Sequence, residues 1–164
     1  MAKSKFKFSP YEIFTKLMSL GKSLRSHCHR AIESDGFTMN ETDVLLALLS
    51  ADDNNTVKAI SESSTISKGN ISQAVESLKK KGYITTEISS EDRRSVTIAL
   101  TEKAAPVVEK LQDAEEDYFN KFMVTLSKGE ASLVTRIFSA LQNFSIKNFL
   151  NKLSKKEHGY EEEN

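Results

Sequence analysis

Ser67-Lys68-Gly69-Asn70-Ile71-Ser72-Gln73-Ala74-Val75-Glu76-Ser77-Leu78-Lys79-Lys80-Lys81-Gly82 is the stretch whose reading decides the fold. Ser67 carries the short oxygen-bearing side chain that satisfies the orphan amides of a helix start. Gly82 suits the left-handed position just past a helix end. Between them Ile71, Ala74, Val75 and Leu78 recur at i, i+3, i+4 and i+7, so one face seeks a core. The spacing predicts a helix from the Ser67 cap to Lys81, roughly 22 Å long at about 1.5 Å per residue. Its outer face carries Gly69, Ser72, Gln73, Glu76 and Lys80, with Lys68 and Lys79 on one flank.

Working upstream, Thr56 caps a short helix bearing Val57, Ala59 and Ile60, and Ser63-Ser64-Thr65-Ile66 joins the two. Thr38 with Glu41 three residues later reads as a capping box for an earlier helix with Val44, Leu45, Leu48 and Leu49 inside, ended by Asp52-Asp53-Asn54-Asn55. Before it, Tyr11, Phe14, Leu17, Met18, Gly21, Leu24, Cys28, Ala31 and Ile32 mark one face of a long amphipathic helix, broken at Asp35-Gly36.

Downstream the period changes to alternation. Tyr83 to Ile88 and Val96 to Leu100 are β-branched and aromatic, and Ser89 to Ser95 between them is polar, which predicts a hairpin with a protruding tip. Thr101 then caps a helix with Pro106 bending its start. Ser127 and Glu130 form a capping box for a last helix carrying Leu133, Val134, Ile137, Phe138, Leu141, Phe144, Leu150 and Leu153. The fold class expected is mainly α with a small β-hairpin wing. A winged helix-turn-helix over 38–100 is joined to a helical dimerisation region over 10–34 and 101–153, with flexible termini at 1–9 and 154–164.

Bulk properties narrow the classes. The 164 residues include 38% hydrophobic ones, enough for one core, and no apolar run reaches the roughly 18 residues a bilayer span needs. A single cysteine excludes an internal disulfide framework and fits a reducing compartment, so a cytoplasmic protein without membrane association is expected. Net charge is zero, which argues against a protein that coats nucleic acid without selectivity. The tail from Glu157 to Asn164 is acidic and offsets bases elsewhere.

A helix presenting Lys68, Gly69, Ser72, Gln73, Glu76 and Lys79 can enter a major groove about 12 Å wide. Gln73 can pair with adenine through two hydrogen bonds, Ser72 with either kind of base edge, and Lys68 with guanine or phosphate. Gly69 lets the backbone approach closely. A solvated helix face bears the same residue types, so the hairpin tip carries weight. There Arg93 and Arg94 can reach a narrow minor groove, with Asp92 holding one of them.

The Asp92-Arg93-Arg94 tip, followed by Leu100-Thr101 leading into a helix, resembles the wing of the MarR family of bacterial regulators. Leu78, Lys81-Gly82 and Ile84 resemble the end of that family's recognition helix, and the order of helices over about 10 to 153 is similar. Ala104, where the family usually has Gly, and Pro106 depart from the pattern. The resemblance implies a homodimer whose terminal helices interlock, binding pseudo-palindromic double-stranded DNA as a repressor and released by a small-molecule effector or by cysteine oxidation. The residues agree, since three separated amphipathic helices need more partner surface than a small winged module supplies.

Cys28, between His27 and His29, is the candidate redox sensor. It falls on the apolar stripe, however, where a buried structural cysteine is the ordinary occupant. In the peroxide-sensing branch of the family the reactive cysteine lies near the start of this helix, where Phe14 stands here. Adjacent helical residues point about 100° apart, so the His-Cys-His run does not converge on an ion. The zinc-sensing branch's extra histidines are absent, and no metal or cofactor is expected. No catalytic constellation appears either, so a non-enzyme is expected. The alternatives are a winged-helix protein-interaction module without DNA binding, suggested by the neutral charge and Glu76, and an enzyme using Cys28.

Overall fold

The structure, a computed structural model, describes residues 9–50, 55–63, 66–88 and 96–142. Packing divides the chain into two units, one running through Phe119 and the other beginning at Asn120.

Helix α1 (Pro10–Ile32) starts one residue earlier than the apolar stripe indicates, because Ser9 and Glu12 form a capping box. The Ser9 hydroxyl accepts from the Glu12 amide at 3.1 Å, and the Ser9 amide donates to the Glu12 carboxylate at 2.7 Å. The helix runs into a 3-10 turn, Glu33–Asp35, and Gly36 at φ 82° ends it in a conformation that favours glycine. Helix α2 (Met39–Ser50) opens on the expected Thr38–Glu41 box. Arg25 of α1 grips Asp43 of α2 with both prongs of its guanidinium.

Helix α3 (Val57–Ser63) is capped by the Thr56 hydroxyl, which accepts from the Ala59 amide at 3.1 Å. Helix α4 (Lys68–Lys80) has Ser67 as N-cap and Lys81 as C-cap. Its end is a complete Schellman turn. Gly82 at φ 77° donates to the Lys79 carbonyl, and Tyr83 donates to that of Leu78, each at 3.0 Å.

Strands β1 (Ile84–Ile88) and β2 (Val96–Leu100) pair antiparallel with Ile84 opposite Leu100 and Thr86 opposite Ile98. A bridge from Thr56 to Thr97 and the Ile98 amide's 2.7 Å bond to the Asn55 carbonyl tie β2 to the start of α3. Ile84 and Ile98 are buried whereas Ile88 on the same face is exposed, so the hairpin is rooted in the core and projects from it.

The core joins Cys28 and Ile32 of α1, Val44, Leu45 and Leu48 of α2, Ile60 of α3, the full Ile71, Ala74, Val75 and Leu78 stripe of α4, and Ile84 and Ile98. Helix α5 (Ala105–Met123) adds Val107, Leu111 and Ala114. Its start differs from expectation. Thr101 makes no side-chain cap; its hydroxyl donates instead to the Gly82 carbonyl at 2.8 Å, and a 3-10 turn, Glu102–Ala104, precedes the helix. Pro106 falls in the first turn, where its missing amide costs nothing. In the second unit, helix α6 (Lys128–Gln142) opens on the Ser127–Glu130 box. The expected apolar positions from Phe144 to Leu153 lie outside the described residues.

Candidate nucleic-acid interface

The face expected to read a partner is brought together on α4. Lys68, Gly69, Ser72, Gln73, Glu76 and Lys79 are all exposed, while the four stripe residues behind them are buried. Burying each large member of that stripe contributes about 1.5–3 kcal/mol, so the polar face stands on a fixed base.

Gly69 is informative because the fold does not require it. Its φ lies outside the left-handed region, and a Cβ built there would meet nothing within 4 Å. Glycine in a helix weakens it relative to alanine by roughly 0.5–1 kcal/mol. Neither internal packing nor backbone geometry compensates.

The side chains have local partners in the isolated protein. Ser72 donates its hydroxyl to the Lys68 carbonyl at 3.0 Å, one turn back. Glu76 lies 3.6 Å from the Lys80 ammonium in an exposed pair of little net energy. Asp92, Arg93 and Arg94 lie outside the described residues.

Cys28 is 0% exposed. Burial first, and the nearby Glu115 carboxylate second, push its thiol up to about 11. At neutral pH it is the protonated thiol, and the thiolate is the form that reacts. Its neighbours diverge as the helical geometry requires. His27 Nε2 is 2.9 Å from Asp117, and His29 Nδ1 is 3.0 Å from the Thr42 hydroxyl.

Sequence reasoning missed the polar contacts around Lys81. That residue reaches Glu41 and the Gly36 carbonyl, and its own carbonyl accepts from Lys103. The Thr38–Glu41 box was visible, but it accounts for only one use of the Glu41 carboxylate. The second lies 40 residues away and leaves no local periodic signal.

Comparison with known proteins agrees with this arrangement. The MarR family pattern matches residues 35–95, from the turn before α2 into the hairpin. The HTH-type transcriptional regulator SarZ of Staphylococcus epidermidis is 26% identical over 106 residues, covering 65% of this chain and 68% of its own. Among solved structures, a MarR transcriptional regulator from Methanosarcina mazei superposes with TM-score 0.66 at 21% identity, over 87% of this chain and 98% of that one. Bordetella bronchiseptica BpsR, in a structure described as the mechanism for regulation of its DNA binding by 6-hydroxynicotinic acid, gives 0.59 at 16% identity, over 88% and 100%. Residues 35–95, which hold the capped α4 and reach into the hairpin, thus match the MarR family's sequence pattern, and the chain has the winged-helix fold of MarR structures, a likeness of sequence segment and fold.

Proposed function

We propose that this protein is a homodimeric, sequence-specific repressor that binds pseudo-palindromic double-stranded DNA and leaves it when a small organic molecule binds. The observation that carries the reading is α4, a helix anchored by a buried stripe whose outer face gathers donors, acceptors and a glycine the fold does not need. Lys68, Ser72, Gln73 and Glu76 address base edges, and Lys79 a phosphate. Arg93 and Arg94 enter the minor groove beside it, oriented by Asp92.

Dimerisation is supported by apolar residues left in solvent. In α1, Phe14 is 58% and Leu17 60% exposed; in α6, Leu133, Ile137 and Phe138 are exposed. Segments 10–34 and 101–153 form the dimerisation region, and 38–100 the DNA-binding module. A two-fold dimer then offers two copies of α4 to half-sites about 10 base pairs apart.

Release by a ligand is favoured over release by oxidation, because the Cys28 thiol is buried and protonated. BpsR, by its description, is regulated by an aromatic acid, and that class is the first to try here. The protein acts by binding rather than catalysis, in the cytoplasm where its DNA lies.

Selection from random duplex DNA with the purified protein tests the reading. The expected result is a palindromic consensus whose binding weakens steeply with salt, and which Arg93→Ala with Arg94→Ala severely impairs. Enrichment of no sequence, alongside recovery of a stoichiometric protein partner, would instead identify a protein-interaction module.

A further inference from the structure

The joint between α4 and the hairpin, Lys81-Gly82-Tyr83, is held from two sides. On one side the Lys81 ammonium donates to the Gly36 carbonyl and to Glu41 Oε2, each at 2.9 Å, and lies 2.8 Å from Glu41 Oε1. It also sits 5.3 Å from the centroid of the Phe37 ring, which packs on Tyr83. On the other side Lys103 donates to the Lys81 carbonyl at 2.7 Å. Thr101 bonds twice, hydroxyl to the Gly82 carbonyl and amide to that of Tyr83.

Glu41 is 1% exposed. A carboxylate taken out of water loses hydration that its partner seldom repays in full, so a buried pair is weak evidence for stability as such. What such a pair does provide is one geometry. Glu41 Oε2 also accepts from the Thr38 amide at 2.7 Å, which fixes the carboxylate to the first turn of α2. Lys81 is thus tied to a rigid element and is not spread over the surface as its lysine neighbours are.

We infer that Glu41 and Lys81 are positioning residues for the DNA-reading surface, their ion pair fixing the angle between α4 and the hairpin so that both engage DNA at once. The inference rests on the DNA-binding function proposed above. Two elements that must meet adjacent grooves bind as one only if the joint between them is stiff; a swivelling joint lowers the effective concentration of the second element. Lys81 itself contacts no phosphate, because its ammonium is already committed to Gly36 and Glu41.

The experiment compares Glu41→Gln, which retains a capping side chain, Lys81→Met, which retains the aliphatic stem, and the double variant. Affinity for the selected operator and for unrelated duplex is measured across a salt series, at a temperature where circular dichroism shows each protein folded. Each single change is expected to weaken operator binding by about tenfold, and the double to be no worse than either single, the signature of one shared interaction. Binding to unrelated DNA and the slope of log affinity against log salt should stay unchanged. A slope reduced by about 0.9 in Lys81→Met would make Lys81 a phosphate contact and overturn the inference. Additive losses, or an unchanged operator affinity, would do so too.

Should the Glu41 or Lys81 variants not fold, Thr101→Val loosens the other side of the joint and is expected to act in the same direction, less strongly; no effect there would then count against the inference. Amide exchange at Gly82, Tyr83 and Thr101 reads the joint without DNA and should quicken in all variants while the α4 interior holds. Failure of the parent protein to bind any DNA would refute the proposed function, whereas unaltered exchange refutes the strut.

Discussion

The two ends of α1 carry the same apolar stripe in opposite surroundings. Towards the C-terminus Cys28 and Ile32 are fully buried against the winged module; towards the N-terminus Tyr11, Phe14 and Leu17 stand in solvent. One helix with one pattern is therefore covered at one end and bare at the other. A hydrophobic stripe says that a surface must be covered, and it is silent on whether the same chain covers it. On the dimer proposed above, the second chain covers the exposed half.

The sharpest way to break this contrast is to truncate at both ends. Ile32→Ala should cost about 2–5 kcal/mol in a denaturant melt, because a cavity remains where the side chain was. Cys28→Ser should follow, at about 1–3 kcal/mol, since a hydroxyl replaces a thiol in an apolar site. In the parent protein the Cys28 thiol should react with an alkylating reagent only as fast as the fold opens. Rapid reaction of native protein would return Cys28 to consideration as a sensor. At the other end, Phe14→Ala should leave the folded unit within about 0.5 kcal/mol at dilutions where only monomer exists. Sedimentation should instead show a weaker dimer. A melt shifted equally at both ends would show that α1 is covered by its own chain throughout.

The acid limb of stability sharpens the contrast from a polar direction. Burial acts to raise the Glu41 carboxyl, but the Lys81 ammonium, the Thr38 amide and Ser77 outweigh it and hold the group below its ordinary value. The unfolded chain therefore binds the proton more readily. Stability from this group is complete above the ordinary carboxylate range and is lost as pH falls through the lowered value. Glu41→Gln should flatten that limb. A further small change is Gly69→Ala, which should raise the melting free energy by at most about 1 kcal/mol while weakening DNA binding. A gain in both would remove the reason offered for the glycine.

Much of the architecture could be read from local chemistry. The Thr38, Thr56, Ser67 and Ser127 caps, the Gly82 stop and the Ile71–Leu78 stripe each act over a few residues, and each stands where the sequence puts it. Thr101 shows where such reading ends. Its hydroxyl has two acceptable uses, and the choice went to the Gly82 carbonyl, which only the folded chain brings near. The apolar stripe begins only at Tyr11, so it carries no sign of the Ser9 cap that starts α1 at Pro10. The outer face of α4 was legible because it is the complement of a buried stripe on a single helix. The Glu41–Lys81 and Arg25–Asp43 pairs were not, since charges paired across long separations leave no period to find.

The outer face of α4 has a further property on the proposed reading. Lys68 at its beginning can only donate, Glu76 near its middle can only accept, and Lys79 at its end donates again, with the ambivalent Gln73 between the first two. Such a row is not the same read backwards. A half-site that offers acceptors to Lys68 and an amino group of cytosine or adenine to Glu76 suits the helix in one direction and opposes it in the other. Each half of the operator would thus carry an arrowhead as well as a composition, and inverting one half-site in place should abolish recognition while leaving every base pair of it present.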